Sequence, residues 1–317
     1  MVGLLLDRYL EHLARKGHSP KTLDTYRRYI ASTIRPALGS RPVRKVTAWD
    51  LDALYATMID AGKATATIRQ HHAIISGALG QAVKWGWCPT NVATMASPPV
   101  ARPGRIIPPT AKEVRAIVEL AEDRNPDLAA MIMLAALTGA RRGELCALRW
   151  SDIDLTGAGS VRISRSMLDL PNRVEEKATK SHQERTLALS EAGLALVQLR
   201  RDAMLERARL ADVELAPDGY VFSERPDGST PCRPDKVTGF FSRARDELGL
   251  THVHLHSLRH FMATQLADRG DVSARTLAGR LGHADASVSL KVYSHFFPAA
   301  DADAADHMGR ILAPTGE

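Results

Sequence analysis

The sequence predicts a mainly α-helical protein of two domains, with a small three-stranded antiparallel sheet in the second domain. Three observations support this fold class. Residues 1–97 show the helical period of apolar positions almost throughout, and a proline-rich segment separates them from the remainder. Residues 160–190 instead alternate polar and apolar side chains, which is the period of a strand with one buried face.

Four helices are predicted in the first domain. The pattern "LLLDRYLEHLARKG" ends at Gly17, and "SPKTLDTYRRYIASTI" follows with Ser19 as its N-cap and Pro20 at its first helical position. Thr47 is the expected cap of a third helix, "TAWDLDALYATMIDAG", and "TATIRQHHAIISGALGQAVKWGW" predicts a longer fourth one. The first domain is therefore expected to be a four-helix-type unit.

The boundary between the domains is predicted in "SPPVARPGRIIPP", which holds five of the seventeen prolines. Proline at this density cannot continue a helix and favours an extended, semi-rigid linker. The predicted organisation is a helical domain over 1–97, a linker over 98–109, a second domain over 110–298 and a C-terminal tail over 299–317.

The second domain is predicted to begin with a helix, because Thr110 and Glu113 have the spacing of a capping box. "DLAAMIMLAAL" predicts another helix that breaks at Gly139, and "RRGELCAL" predicts a short one. "SVRISRSM" and "RTLALS" read as strands around a turn at "DLPN", and helical patterns return from Glu191.

The net charge of +6 is concentrated in the first domain. Residues 1–97 contain 13 Lys and Arg against 6 Asp and Glu, whereas the remainder has 29 basic and 30 acidic residues. A small domain that carries all the excess positive charge suggests a polyanionic partner, although a basic domain without such a partner fits equally well. The candidate residues for contact with such a polyanion are Arg27, Arg28, Lys63, Arg69, Lys84, Arg102 and Arg105.

Composition argues against a membrane protein and a disulfide-rich one. The longest apolar stretch, "LAAMIMLAAL", is too short to cross a bilayer. The three cysteines are odd in number and far apart, which favours a reducing cytoplasm.

The segment "TGARRGEL" holds the first candidate site residues. If Arg141 opens a helix, it shares a face with Leu145 and Leu148 and points toward the interior, where it needs an anion. Glu144, one turn on, could hold a neighbouring basic group. The alternative is a structural Arg–Glu pair that closes a helix end, and Arg142 is expected to be exposed.

The segment "THVHLHSLRH" holds four of the twelve histidines. As a helix, "HSLRH" places His256, Arg259 and His260 on one side. A metal site is the obvious reading, but an arginine repels a divalent metal and no carboxylate is near. The same residues are suited to bind a phosphate, because an arginine can hydrogen-bond two phosphate oxygens at once and a histidine can donate or accept a proton near neutral pH. His252 and His254 are assigned no chemistry.

Three further residues are ambiguous when each is considered alone. Lys180 lies between two predicted strands and could reach into a cleft, but lysines are common on hairpin surfaces. "LGH" ends a helix at Gly282 and leaves His283 at a turn. Tyr293, ten residues on, lies in an apolar run where a tyrosine usually belongs to the core.

Together these residues resemble the tyrosine recombinase (phage integrase) family. "TGARRGEL" is similar to the first arginine box of that family, and "HSLRH" and "LGH" followed by a tyrosine are similar to its second. The motifs extend over residues 138–293, and the basic helical domain is more loosely similar to a core-binding domain. Two positions depart from the family pattern: "VSLKV" stands where many members have Thr-Thr, and Ser181 stands where Thr is frequent.

The resemblance implies a role for each matched residue. Tyr293 would attack the scissile phosphate and form a 3′-phosphotyrosine, with Arg141 and Arg259 on the non-bridging oxygens. Lys180 would protonate the 5′-oxygen, His256 would act in proton transfer and His283 would hydrogen-bond the phosphate. Glu144 and His260 would support this catalytic set. No metal and no cofactor are expected.

The resemblance also implies a catalytic domain that closes with the core-binding domain as a clamp around DNA. The expected partners are double-stranded DNA with specific recombination sites, a homo-tetramer on that DNA, and accessory DNA-bending or directionality factors. The expected setting is the prokaryotic cytoplasm, and the tail is expected to be exchanged between subunits, with packing on its own domain as the alternative.

The predicted function is an integrase of a phage or other mobile element that acts through a Holliday junction. Two alternatives share this chemistry: a recombinase that resolves chromosome or plasmid dimers, and a type IB topoisomerase-like enzyme. A metal-dependent hydrolase that uses the histidine cluster, and a DNA-binding protein without activity, are alternatives from other classes.

Overall fold

The computed structural model describes residues 1–100, 107–157, 159–170, 173–178, 184–269 and 272–282. Lys180, His283, Tyr293, Arg102, Arg105 and the predicted tail lie outside the described residues. The chain divides into two compact units, Met1–Arg105 and Ile106–Glu317. The division falls inside the segment that the sequence predicts as the linker.

The first unit is built from helices. They are α1 (Val2–Arg15), α2 (Pro20–Tyr29), α3 (Arg35–Leu38), α4 (Ala48–Asp60) and α5 (Thr65–Lys84), with short 3₁₀ turns at Val43–Lys45 and Val92–Met95. A π-helical turn, Ile30–Ile34, joins α2 to α3. Pro36 follows this turn and has no amide hydrogen for the usual bond to residue 32, which accounts for the irregular turn.

The predicted N-caps of this unit are confirmed. The Ser19 hydroxyl accepts a hydrogen bond from the backbone N–H of Thr22 at 3.2 Å. Thr47 and Asp50 form a reciprocal capping box at the start of α4. Apolar side chains of α1, α4 and α5, among them Leu5, Leu51 and Ile68, are fully buried in one core.

The second unit combines helices with short strands. Its helices are α6 (Ala111–Arg124), α7 (Pro126–Thr138), α8 (Arg142–Cys146), α9 (Glu191–Leu210), α10 (Pro234–Glu247), α11 (Ser257–Asp268) and α12 (Ala274–Leu281), with a 3₁₀ turn at Trp150–Asp152. The capping box of Thr110 and Glu113 is present as predicted. Ile117, Ile132 and Val237 contribute to the core that α6, α7 and α10 share.

The predicted mainly helical fold with a small antiparallel sheet is confirmed, but the strands are arranged differently from the prediction. The strands are β1 (Ile153–Asp154), β2 (Ser160–Ile163), β3 (Arg165–Leu170), β4 (Arg173–Ala178) and β5 (Arg185–Ala188). β1, β2 and β5 form the three-stranded antiparallel sheet, and β3 and β4 form a separate hairpin. "SVRISRSM" is therefore two strands that belong to different sheets, because the chain breaks its pairing at Ser164.

No helix in the described part of the chain is both long enough and apolar enough to cross a membrane.

Candidate active site

The first cluster lies where α7 ends and α8 begins. Gly139 ends α7 in a left-handed conformation with a φ of 65°, which glycine adopts without steric cost. Arg141 is the N-cap of α8. Its side chain is 43% exposed and pairs with Glu144, so the expectation that it turns to the interior is wrong. Arg141 precedes the first helical residue, Arg142, and has an extended backbone conformation. Its side chain therefore does not lie on the helix face that buries Leu145.

Glu144 is the buried acid of this cluster, with a side chain only 3% exposed. It accepts hydrogen bonds from the backbone N–H of Arg141 at 2.8 Å and from Arg141 Nη1 at 2.9 Å. Burial would raise the pKa of this carboxyl, but the hydrogen bonds and positive charges of Arg185 and Arg141 outweigh burial and lower the pKa overall. Glu144 therefore holds a neighbouring basic group, as the sequence predicts.

Arg185, at the start of β5, is a site residue that the motifs do not identify. Its side chain is 7% exposed and contacts both oxygens of Glu144, with Nη2–Oε2 at 2.6 Å and Nη1–Oε1 at 3.2 Å. Its Nε donates to the carbonyl of Arg280 at 3.0 Å. The strand alternation of "RTLALS" places Arg185 on the same face as buried Leu187, so a signal for its burial was present in the sequence.

Arg259, on the first turn of α11, is also buried, at 4% exposure. Its Nη1 donates to the carbonyl of Gly139 at 2.8 Å, and its Nη2 donates to the carbonyl of Leu281. Arg259 thus joins the end of α7 to the end of α12. These carbonyls are among the last of their helices, where no further turn offers an N–H to bond them.

His256 and His260 lie one helical turn apart beside Arg259. Their rings are perpendicular, with centroids 5.2 Å apart. Partial burial in the cavity wall, followed by the positive charges of His260, Arg259 and Arg141, lowers the pKa of His256 to about 4. Burial and the charge of Arg259 also lower the pKa of His260. A neutral imidazole at this position can accept a proton at neutral pH.

The other two histidines of this segment contact other partners. His252 lies 3.3 Å from the Glu113 carboxylate, and His254 contacts Arg245. Within the part of the chain that the structure describes, no group of three or more His, Cys, Asp or Glu side chains is placed to hold a metal ion.

A cavity of about 460 Å³ opens between α7, α8, β3, α10 and the start of α11. Its lining includes the polar side chains of Arg141, His256 and Arg259 and the apolar side chains of Met131, Met167 and Val237. Two guanidinium groups and a neutral imidazole beside one cavity are suited to hold an anion such as a phosphate diester and to exchange a proton with it.

The structure describes only some of the remaining predicted site residues. α12 ends with Gly282 as its C-cap, which agrees with the predicted helix end, and Gly282 adopts a left-handed conformation. Lys180, His283 and Tyr293 lie outside the described residues. In the first unit, the side chains of the candidate DNA-contacting residues Arg27, Arg28, Lys63, Arg69 and Lys84 are exposed.

Comparison with known proteins identifies the family of the chain. The model of the phage integrase family matches residues 110–299. A tyrosine recombinase XerC-like protein of Caldanaerobacter subterraneus subsp. tengcongensis is 23% identical over 340 residues, which cover 98% of this chain and 83% of the relative. The integrase of Escherichia phage lambda is 36% identical over 150 residues, but these cover only 47% of this chain and 41% of the relative.

Solved structures share the fold. The Tn1549 transposon integrase in complex with transposon right end DNA superposes with a TM-score of 0.76 at 18% identity, over 98% of this chain and 99% of that one. A lambda integrase tetramer bound to a Holliday junction gives a TM-score of 0.69 at 23% identity, and the superposition covers 94% of this chain and 79% of that one.

Because the family model matches more than half of its length, the chain belongs to the phage integrase family, the tyrosine recombinases, which are enzymes that break and rejoin DNA at specific sites.

Proposed function

We propose that this recombinase is an integrase of a phage or other mobile element that cuts two DNA duplexes one strand at a time and passes through a Holliday junction. The observation that carries the proposal is the cavity where Arg141, His256 and Arg259 meet. These side chains come from two segments more than a hundred residues apart, and both segments match the family motifs in type and order.

The proposed reaction begins with Tyr293. Its phenol oxygen attacks the scissile phosphorus, and the new P–O bond forms a 3′-phosphotyrosine. The bond from phosphorus to the 5′-oxygen breaks, and Lys180 gives that oxygen a proton, so that a free 5′-hydroxyl leaves. The proton of the phenol passes to a base, the role we assign to His256. In religation the 5′-hydroxyl of the cut strand of the partner duplex attacks the phosphotyrosine, the bond from phosphorus to the tyrosine oxygen breaks, and the phenol regains its proton.

The two arginines supply the charge stabilisation. Arg141 and Arg259 would hold the non-bridging oxygens, where negative charge is greatest in the transition state. A phenol is a weak nucleophile at neutral pH, because its pKa in water is near ~10, and it needs such surroundings. His283 would hydrogen-bond the phosphate, Glu144 would hold Arg141, and His260 would support His256.

The proposed reaction uses neither a metal nor a nucleotide cofactor. The phosphotyrosine keeps the energy of the cut phosphodiester, so religation requires no ATP. Two guanidinium groups can provide the electrostatic stabilisation that a metal provides in many nucleases.

The proposed partner is double-stranded DNA that carries specific recombination sites, bound by a homo-tetramer. The structural relatives include integrases on DNA and a lambda integrase tetramer on a Holliday junction, which supports this assembly. The excess positive charge of residues 1–97 supports a role of the first unit in holding the DNA backbone. Accessory DNA-bending or directionality factors and a prokaryotic cytoplasmic setting complete the proposal, and the tail over 299–317 would dock on a neighbouring subunit.

A nicked suicide substrate tests the chemistry. Wild-type protein should accumulate a covalent complex that survives denaturation, and Tyr293→Phe should abolish it while DNA affinity stays within about threefold. Efficient trapping by Tyr293→Phe would refute the assignment of the nucleophile. Failure of the wild-type protein to trap any DNA from its own genomic locus would refute the proposed function.

Dimer resolution is a second candidate, favoured by the XerC-like relative that aligns with 98% of this chain. The two functions differ in their sites. An integrase joins two different sites and leaves hybrid products, whereas a dimer resolvase recombines two identical sites on one circular molecule. Recombination between the DNA flanking this gene and a non-identical target would favour integration, and recombination restricted to identical sites would favour resolution.

A further inference from the structure

We propose that Arg185 is a positioning residue for the cleavage reaction, which acts through Glu144 to fix Arg141 and holds the end of α12 against the same group. The inference rests on the proposed function, because it assumes that Arg141 stabilises the reacting phosphate. Arg185 itself is not expected to touch DNA.

The contact with Glu144 fixes the carboxylate on two sides. Arg185 donates to both of its oxygens, at 2.6 and 3.2 Å. Arg141 reaches the same two oxygens, with its guanidinium on Oε1 and its backbone N–H on Oε2. Because the planar guanidinium of Arg185 holds the Glu144 carboxylate in one orientation, the oxygens that Arg141 bonds are also fixed. The position of the exposed Arg141 side chain therefore depends on a group that Arg185 keeps in place.

The contact with α12 adds a third element to this arrangement. The Nε of Arg185 donates to the carbonyl of Arg280 at 3.0 Å, in the last turn of the helix. A Cβ atom on Gly282 would lie 2.8 Å from Arg185 Nη1, so a larger residue at this position would displace the guanidinium of Arg185. His283 follows directly in the sequence, and Arg185 thus holds the backbone from which that residue begins.

Arg185 also lies close in the sequence to Lys180. β5 begins at Arg185, five residues after Lys180, and pairs with β2 from Ile163↔Arg185 to Ser160↔Ala188. One buried guanidinium therefore connects the turn of Arg141 with two segments that adjoin assigned residues in the sequence: the strand that follows Lys180 and the helix that precedes His283. Displacement of a catalytic group by about 1 Å costs on the order of 100-fold in rate, so loss of this connection should affect the chemical step.

The experiment measures single-turnover cleavage of the suicide substrate at saturating DNA, together with non-covalent DNA affinity in the Tyr293→Phe background. Arg185→Ala should lower the saturating cleavage rate about 100-fold and change the DNA dissociation constant less than about threefold. Arg185→Lys should recover only part of the rate and stay about 10-fold below wild type, because an ammonium reaches Glu144 but does not bond both of its oxygens and the Arg280 carbonyl together.

Arg200→Ala is the matched control. The Arg200 side chain is as buried as that of Arg185, pairs with a carboxylate, that of Asp127, and donates from Nε to a backbone carbonyl, that of Val221 at 3.1 Å. Rates are normalised to the folded fraction measured by circular dichroism. Arg200→Ala should lower the melting temperature and leave the normalised cleavage rate within about threefold of wild type.

The outcomes separate the inference from the proposed function. Arg185→Ala that cleaves at the wild-type normalised rate would overturn the positioning role and leave the Tyr293 chemistry untouched. If Arg185→Ala does not fold, Arg185→Lys decides: a rate loss without a change in affinity supports the role, and a wild-type rate overturns it. An equal rate loss in Arg200→Ala would show a general effect of destabilisation and overturn it as well. Absence of any covalent complex with wild-type protein would instead refute the proposed function.

Discussion

The imidazole of His256 stands edge-on to the ring of His260, at right angles and with 5.2 Å between centroids. Two protonated rings at this distance would repel each other, and the guanidinium groups of Arg259 and Arg141 add to that repulsion. The pair is therefore held in the neutral form around neutral pH. A neutral His256 beside the cavity is ready to take a proton, which agrees with the role that we propose for it.

The first prediction concerns the titration of His256. Because its pKa is lowered to about 4, its ring carbon proton in NMR spectra should titrate well below pH 6.5, the usual midpoint of histidine. His256→Gln assigns the resonance. Removal of a positive neighbour by His260→Gln should raise the pKa of His256. A midpoint near 6.5 in the wild type would contradict the proposed electrostatics.

The same lowered pKa predicts how the stability of the fold depends on pH. Between pH 6.5 and about 4 the unfolded chain binds a proton at His256 that the folded chain does not, so this residue makes the fold less stable as the pH falls through that window. Above pH 6.5 both states are neutral and the effect disappears. His256→Gln should therefore lose less stability than wild type between pH 7 and pH 4.5 in urea denaturation. Parallel losses would contradict the prediction.

The second prediction concerns Glu144. Removal of its carboxylate leaves the buried guanidinium of Arg185 without its ion partner and close to Arg141. Breaking a buried pair from one side costs roughly 3–5 kcal/mol, so Glu144→Ala should lower the free energy of unfolding by that amount. Guanidinium chloride denaturation measures it.

Glu247→Ala is the control for Glu144→Ala. Glu247 pairs with Arg124 at 2.5 Å, but both side chains are 46% exposed. Water screens such a pair, and its loss should cost less than about 1 kcal/mol. Equal losses in the free energy of unfolding for the two substitutions would show that the burial of Glu144 does not cause the destabilisation.

The sequence predicts those parts of the fold that depend on local chemistry. Ser19, Thr47 and Thr110 cap helices as expected, because an N-cap needs only its own side chain and the next three residues. The strands are predicted less well. β1 is two residues long, Ile153–Asp154, and is defined only by its pairing with β2, which no local pattern reveals.

The same distinction applies to the candidate site. Arg141, Glu144, His256 and Arg259 are recognised because they fall within segments that resemble motifs of the family, and the structure brings all four together. Arg185 lies outside the segments that resemble motifs of the family, and its partners Glu144 and Arg280 lie 41 and 95 residues away in the sequence. Its alternation with Leu187 indicates burial, but only the tertiary structure shows what it contacts.

The third prediction concerns Gly143 in the arginine box. A Cβ atom on this residue would lie 2.6 Å from the carbonyl oxygen of Met167 and 2.6 Å from the hydroxyl of Ser166 on β3. Because the backbone of β3 cannot move without loss of its strand pairing, Gly143→Ala should destabilise the protein by roughly 1–3 kcal/mol and displace α8. Chemical denaturation and the saturating cleavage rate should both report the change.

Gly279 in α12 provides the contrast to Gly143. It is also helical, but a Cβ atom there would meet no atom within 4 Å. Gly279→Ala should therefore stabilise the protein by roughly 0.5–1 kcal/mol, because alanine loses less backbone entropy in a helix. A loss of stability on this substitution, or a gain on Gly143→Ala, would contradict the packing described for these helices.

The last prediction concerns the basic surface of the first unit. Arg27 and Arg28 are exposed at the end of α2, and if each neutralises a DNA phosphate, each releases about one counterion on binding. In the Tyr293→Phe background, the slope of log K against log salt should fall by about 0.9 for each arginine replaced by alanine. Arg8→Ala is the matched control, because Arg8 is already paired with Glu11 at 3.0 Å and should release fewer counterions. Slopes that stay at the wild-type value would place the DNA backbone away from α2, and a larger loss for Arg8→Ala would move the contact to α1.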